Sequence, residues 1–442
     1  MRSINIFTIA VSIFAVGFVF GCKKNSDTPP DPLPDPPLII TKPVTTINST
    51  SVVSGGEFIN ATTITDKGII WGTDSNSLTV STANKISNGP ALTNFTDTIQ
   101  TLQPNTTYYL KAYAIYSSGV SYGAAIKFTT PPTVYLAGYH GTLAAYWKDG
   151  KLFPLIGGTY AHSIYVVGND VYVAGENNNG NLRAVYWKNG VPVVLTNGTN
   201  AALANSIYVV GNDIYVGGYE LYNNDANFPI AKYWKNGVAV SLTNAPGYIG
   251  IVNSIYVVGS DVYAAGFKAK TFGGFQVATY WKNGIAVPLN DSTTTIASAQ
   301  SIFVKGNDVY VCGKEQSQSG VFGGTPVAKY WKNGIPVSLT DGSQNAGAWS
   351  IFVNGSDVYT AGYEYSGSTA YSIAKFWKNS TPVSLSDGTK YGNAYSIFVV
   401  GSDIYVAGGL GDYFDAMCWK NGASLPLEIN AQYSRSVSIF VQ

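Results

Sequence analysis

A four-residue phrase, Ser-Ile-(Tyr or Phe)-Val, recurs seven times, with its serine at Ser163, Ser206, Ser254, Ser301, Ser350, Ser396 and Ser438. The intervals are 43, 48, 47, 49, 46 and 42 residues. A second landmark, an aromatic or Cys followed by Trp-Lys, keeps step with it at Trp147, Trp187, Trp234, Trp281, Trp331, Trp377 and Trp419. A period of this length that carries several short strands excludes a single continuous core. Each repeat must instead bury its face against the next one.

Four strands fit in each period. Strand A is the "SIYVV" segment, followed by a Gly-Asn/Ser-Asp turn, and strand B is the "DVYVAG" segment, which ends in a loop of variable length. Strand C carries the Trp-Lys pair and leads into Asn-Gly, the dipeptide favoured in two-residue hairpins because both positions need positive φ. Strand D is the "PVSLT" segment. Alternating apolar positions and few helix formers exclude a helical solenoid. Seven four-stranded antiparallel units predict an all-β fold, a seven-bladed β-propeller. The repeat region opens on a strand B at Val134 with no strand A before it and ends on a strand A at Ser438–Gln442 with no strand B after it. The two incomplete ends make one blade, so the C-terminal strand is expected to close the ring and leave no open sheet edge. Closure of this kind, the glycines ending strand B (Gly217-Gly218, Gly408-Gly409) and the aromatic of strand C resemble kelch propellers. In kelch repeats the Tyr and Trp are separated, whereas here they adjoin, so the resemblance implies architecture and carries no function.

The N-terminus reads as an export signal. Arg2 precedes an apolar run from Ile4 to Gly21, cut off at Cys22, Lys23 and Lys24. "VFGC", Val19–Cys22, resembles the lipobox of bacterial lipoproteins, which implies cleavage after residue 21 and a lipid on Cys22; a plain membrane-spanning anchor is the alternative. Residues 22–37 form a linker with six prolines among the nine residues Pro29–Pro37, an extended and semi-rigid spacer. Residues 38–130 carry short alternating segments and end in "LQPNTTYYLKAYA". This resembles fibronectin type III domains, with Leu102, Pro104, Thr106 and Tyr108 on the Leu-x-Pro-x-Thr-x-Tyr positions. The resemblance implies a β-sandwich in which the Tyr108 hydroxyl bonds back to the backbone upstream. Trp71 is a loose match for the buried Trp of such domains. The propeller spans residues 131–442. Cys312 and Cys418, inside strand patterns of different repeats, read as small buried hydrophobes.

Positions repeated in every period are scaffold. The seven Trp should wedge between blades, and the turn aspartates and the Lys before each Asn-Gly turn share one face as a neutral rim. Because strand direction alternates, the short A–B and C–D turns lie on that face and the long, dissimilar B–C and D–A loops on the other. Recognition favours variable loops on a rigid frame. The residue before each strand-A serine is the one that changes: His162, Asn205, Asn253, Gln300, Trp349, Tyr395 and Val437. These should ring the channel mouth, with a second ring after strand B of Tyr139, Glu176, Tyr219, Phe267, Lys314 and Tyr363, and outside it His140, Glu220, Lys268, Glu315 and Glu364.

Aromatics mixed with amides and carboxylates are what a sugar site needs. Charged residues make up only 12% of the chain and the formal net charge is +1, so no basic field exists for nucleic acid. The leading expectation is a monomeric, lipid-anchored binding protein of the cell envelope, at the outer membrane or cell surface, recognising glycan on the variable face. The alternatives are an interaction scaffold for an envelope protein, or a glycoside hydrolase or lyase needing two carboxylates about 5–10 Å apart, for which Glu220, Glu315 and Glu364 are the repeat-equivalent acids. No metal or cofactor motif is present, and the balance leans away from an enzyme.

Overall fold

The computed structural model describes residues 35–442, except 61–62, 245, 271–274, 292–294, 318–323, 368–369 and 430–432. The export signal, Cys22 and most of the proline-rich linker lie outside the described residues, as do parts of three B–C loops. The described residues are all β apart from one 3-10 turn, Ser75–Ser77. No helix among them is long and apolar enough to cross a membrane. Two compact units are present. One takes the chain up to Pro43, Ser54–Asp97 and Tyr109–Ile126; the other takes Val44–Val53, Thr98–Tyr108 and Lys127–Gln442.

The N-terminal strands make two sheets. One has the order Leu38–Thr45, Val52–Asn60, Phe95–Ile99. The other runs Asn84–Ser87, Ile64–Gly72, Thr107–Tyr116, Gly119–Tyr122, with Ile126–Thr129 also paired to Thr107–Tyr116. Ile69, Ile70, Leu110 and Tyr113 are fully buried. The Gln103 N–H donates to the Tyr108 hydroxyl at 2.9 Å, the upstream backbone bond expected of that tyrosine. Trp71 is only half-buried, so the aliphatic pair before it fills the interior in its place.

The repeat region forms seven four-stranded antiparallel sheets in the order A-B-C-D. The sheet opened by Val134–His140 takes its strand A from Ser434–Val441, at the other end of the chain. The C–D turns use positive φ at both central residues, as at Asn236 (50°) and Gly237 (83°). In one repeat Ser380 takes the glycine position at φ 68°.

Neighbouring sheets are joined by the repeated residues. All seven Trp of strand C are at most 2% exposed. Each packs on small residues of the preceding sheet: Trp187 sits with Ala137 and Ala144, and Trp147 sits with Ala407 and Cys418. That is the wedge the repeat predicts, and truncating one such ring costs about 3–5 kcal/mol. Burial raises the thiol pKa of both Cys312 and Cys418, the latter to about 12.

Strand A supplies two further cycles. The Ile207 N–H donates to Ser163 Oγ of the preceding sheet at 3.1 Å. The same bond runs from Ile255 to Ser206, Ile302 to Ser254, Ile351 to Ser301 and Ile397 to Ser350. It continues from Ile439 to Ser396 and from Ile164 to Ser438, and so returns to its start. Each bond gives an otherwise unpaired inner-edge N–H a partner, worth about 0.5–1.5 kcal/mol net. One residue further on, the rings of Tyr165, Tyr208, Tyr256, Phe303, Phe352, Phe398 and Phe440 form a closed collar. Neighbouring centroids are 4.7–5.1 Å apart. Sheets related cyclically in this way form a β-propeller.

The turn face is pinned by a network repeated in six sheets. Asp261 accepts from Asn283 at 2.8 Å and pairs with Lys282 at 3.0 Å, while Asn283 accepts the Val262 N–H at 2.9 Å. The A–B and C–D turns are thereby tied together. The Lys282 ammonium lies 5.2 Å from the Tyr263 ring centre. Hydrogen bonds from Asn283 and Lys282 hold the Asp261 carboxyl below the usual carboxylate range.

Strand A is longer than its apolar pattern suggests, because the pattern is interrupted by a bulge. In every sheet the pairing of strand A with strand B slips between the residue two before the serine and the serine itself, as between Val252 and Ser254. The extra residue is the variable one, here Asn253. The glycine near the end of strand B faces each bulge. A Cβ on Gly266 would lie 1.8 Å from the Ile251 carbonyl oxygen, and one on Gly138 1.7 Å from that of Arg435. Only glycine lets the two backbones approach so closely.

Gly266→Ala should therefore cost about 1–3 kcal/mol or more through overpacking, read as a lowered urea midpoint. For the turn network, the six aspartates have depressed folded pKa values. Their stabilisation is present above the unfolded value, about 3.9, and is lost as pH falls through the folded one. Asp261→Asn should lower the urea midpoint at pH 7, and the difference from wild type should shrink as pH falls below about 3.9.

Candidate functional site at the head of strand A

The bulge explains where the changing residue points. An extra residue in one strand is unpaired and re-aimed, so the seven variable side chains leave the ladder at the end of strand A remote from the pinned turns. All seven are half-buried. The closed cycle of strand A neighbours places them around one opening.

The opening is not uniform. Asn205 donates to the Val252 carbonyl at 2.9 Å and Asn253 to the Ala299 carbonyl at 2.8 Å. Asn205 and Asn253 thus each staple their own sheet to the next. Gln300 donates to Ser298 Oγ at 3.0 Å within its own strand.

Two clefts occupy the aromatic side. The first, about 390 Å³, is lined by Trp349, Tyr363, Tyr365, Ser372, Tyr391, Asn393, Tyr395, Asp412, Phe414 and Arg435. Trp349 stacks on Tyr363 with centroids 5.7 Å apart, and its indole N–H points at Asn393 Oδ1, 3.4 Å away. Tyr363 is nearly buried, and its hydroxyl donates to Asn345 at 3.3 Å. Burial pushes the Tyr395 hydroxyl up to about 12, against the opposing pull of Arg435.

The second cleft, about 460 Å³, is lined by Tyr139, Tyr160, Ala161, His162, Glu176, Leu203, Arg435 and Val437. Glu176 is 5% exposed, with an oxygen 3.7 Å from His162 Nε2. Tyr160 packs edge-on to Tyr139 with centroids 5.1 Å apart. Tyr219 stands beside the second cleft without lining it; burial, then the Glu176 charge, raises its hydroxyl pKa. Arg435 belongs to both clefts.

The remaining predicted residues have other partners. Glu220, Glu315 and Glu364 pair with Lys232, Lys329 and Lys375 of the adjacent strand C at 2.5–2.6 Å. These acids line neither cleft, and each charge is neutralised within its own sheet. His140 Nδ1 lies 2.7 Å from Ser434 Oγ. Phe267 and Lys314 are half-buried away from both clefts. Lys268 sits 4.0 Å over the Tyr248 ring in a separate cavity of about 690 Å³, lined by strands B, C and D of one sheet and the loop before its strand A. That cavity is remote from the convergence of strand A heads and holds none of the other predicted residues. No group of three or more metal-ligating side chains occurs among the described residues.

Several cleft residues escaped the repeat pattern, among them Arg435, Asn393, Tyr391, Phe414, Tyr365, Asp412 and Tyr160. Arg435 and Asn393 stand three residues before their serines, on the far side of the bulge. The signal that could have found them is the ladder continuing past the bulge, with Arg435 between two serines.

The chain matches no protein-family model and no curated protein. Among solved structures it is similar to the β-propeller domain of the trilobed protease from Pyrococcus furiosus, described as having an open velcro topology. The TM-score is 0.39 at 9% identity, covering 79% of this chain and 96% of that one. It is also similar to YjhT, with a TM-score of 0.33 at 12% identity, covering 63% of this chain and 96% of that one.

Proposed function

We propose that this protein is an envelope-anchored binding protein: a lipid-bearing Cys22, a proline-rich spacer, a fibronectin type III-like sandwich and a kelch-like propeller of seven blades closed by the C-terminal strand. Its propeller binds carbohydrate at the aromatic clefts. The pairing of Ser434–Val441 with Val134–His140 and the closed serine cycle support the ring. The sandwich reading is supported by the sheet orders and by the bond from Gln103 to Tyr108.

The observation that carries the binding reading is the first cleft. Six aromatic rings, one amide and one carboxylate converge there in a space of about 390 Å³, and three of those rings were predicted from sequence to face the ligand. Aromatic faces take the apolar side of a sugar ring, while Asn393 and Asp412 offer acceptors for hydroxyls. The three acids nominated for catalysis are engaged in ion pairs, so binding is favoured over hydrolysis.

A second reading, a protein-interaction scaffold, is favoured by one feature. Tyr413 and Tyr433 are 60% and 47% exposed and pack edge-on, with centroids 4.6 Å apart, on the variable face. Exposed aromatic pairs of this kind serve as anchors in protein interfaces.

On a glycan array, the protein should give defined positives. Trp349→Ala should weaken that binding about tenfold or more, since burying one aromatic face is worth roughly 1–3 kcal/mol. Lys332→Ala, on the turn face, should leave it unchanged. A blank array with intact folding would turn the assignment to the scaffold reading. Separately, Cys22→Ala should release the protein from membranes; retention after a carbonate wash would mean a spanning anchor.

A further inference from the structure

Arg435 is the group that the repeat does not explain. Scaffold residues recur in every sheet, but the six positions equivalent to Arg435 hold Tyr160, Leu203, Ile251, Ser298, Gly347 and Asn393, none of them charged. Its guanidinium carbon lies 4.2 Å from the ring centre of Tyr395 and 5.4 Å from that of Phe414. A hydrogen bond to the Tyr395 hydroxyl engages part of the guanidinium, and a ring-packed guanidinium keeps its remaining N–H groups for recognition. Its Nε is buried without a hydrogen-bond partner. Among the described residues no carboxylate comes within ion-pair distance of it, although nine lysine–carboxylate pairs form there. A part-buried cation with an unused donor, lining two adjoining clefts, is a receptor for an anion.

We infer that the carbohydrate taken by these clefts is an acidic one, a uronate-bearing glycan whose carboxylate docks on Arg435. This rests on the carbohydrate reading above and narrows it. The aromatic walls call for a sugar ring, and the fork of Arg435 matches the two oxygens of a carboxylate. Glu176 in one cleft and Asp412 in the other set the charge limit. Their negative charge disfavours a phosphate monoester, which carries about −1.5 to −2, and confines a single negative charge to the arginine between them. They remain acceptors for hydroxyl groups of the flanking sugars. One ligand can thus span both clefts, with its charge at the centre.

The test uses the full chain, as wild type, Arg435→Gln and Arg435→Lys, with melting temperatures measured to establish folding. Calorimetry is run on polygalacturonate, alginate and glucuronan, on their carboxyl-reduced forms, and on a sulfated galactan. Wild type should bind at least one uronate polymer, and carboxyl reduction should weaken that binding about tenfold or more, the range for a charged hydrogen bond. Arg435→Gln should bind both forms equally and weakly, and Arg435→Lys should keep part of the acid preference. Equal wild-type affinity for reduced and native polymers, or an acid preference that survives in a folded Arg435→Gln, overturns the inference and leaves the carbohydrate reading standing. Preference for the sulfated galactan replaces carboxylate by sulfate and also overturns it. If no polymer of either charge binds, both readings fall.

Discussion

The propeller depends on a hydrogen bond between sheets, from the amide of one strand A to the serine hydroxyl of the strand A before it. Inner-edge strands present unpaired N–H groups, and an unsatisfied row of them around a narrow opening would be costly. The serine of each repeat supplies the acceptor, and the following isoleucine carries the donor. Because Ser438 and Ile439 come from the last strand, the cycle exists only when the C-terminus joins the first sheet. The aromatic collar and the Trp wedges follow the same cycle, so one geometric relation between neighbours satisfies three kinds of contact.

The bulge beside that serine is what makes a rigid repeat able to carry a site. It needs a glycine on the facing strand, because the approach of 1.7–2.1 Å between a would-be Cβ and the opposing carbonyl leaves no room for a side chain. In return one residue per sheet escapes the ladder, and its identity is released from packing. This is why His162, Gln300, Trp349 and Val437 can occupy equivalent places. The turn face has no such freedom: there Asp, Asn and Lys lock the two hairpins of six of the seven sheets together. The molecule thus keeps an invariant end and a variable end on the same strands.

Charge is handled with similar economy. With few ionisable residues, nearly every lysine of strand C faces a carboxylate of its own sheet, either the turn aspartate or the acid at the far end of strand B. Arg435 departs from that scheme. It is packed by rings, with no acid paired to it among the described residues, and it lies where two clefts meet.

Much of this was legible in the residue pattern. Seven units, four strands per unit, buried tryptophans, Asn-Gly hairpins and the identity of the variable face all follow from local rules: periodicity two, turn chemistry, and a count that begins on strand B and ends on strand A. Tertiary structure decided what lies beyond each bulge. A bulge breaks the alternation that a sequence reading follows, so strand A seemed to begin at its serine, and Arg435 and Asn393 stayed hidden one step upstream. Glu220, Glu315 and Glu364 looked free because their lysine partners come from strand C across loops of unequal length, which leave the register unspecified. Whether Asn205 faces a ligand or a neighbour's carbonyl depends on how closely two sheets approach, a distance set by buried tryptophans far from it along the chain. Local chemistry determines the repeat; the spacing between repeats determines which of its side chains remain available to a ligand.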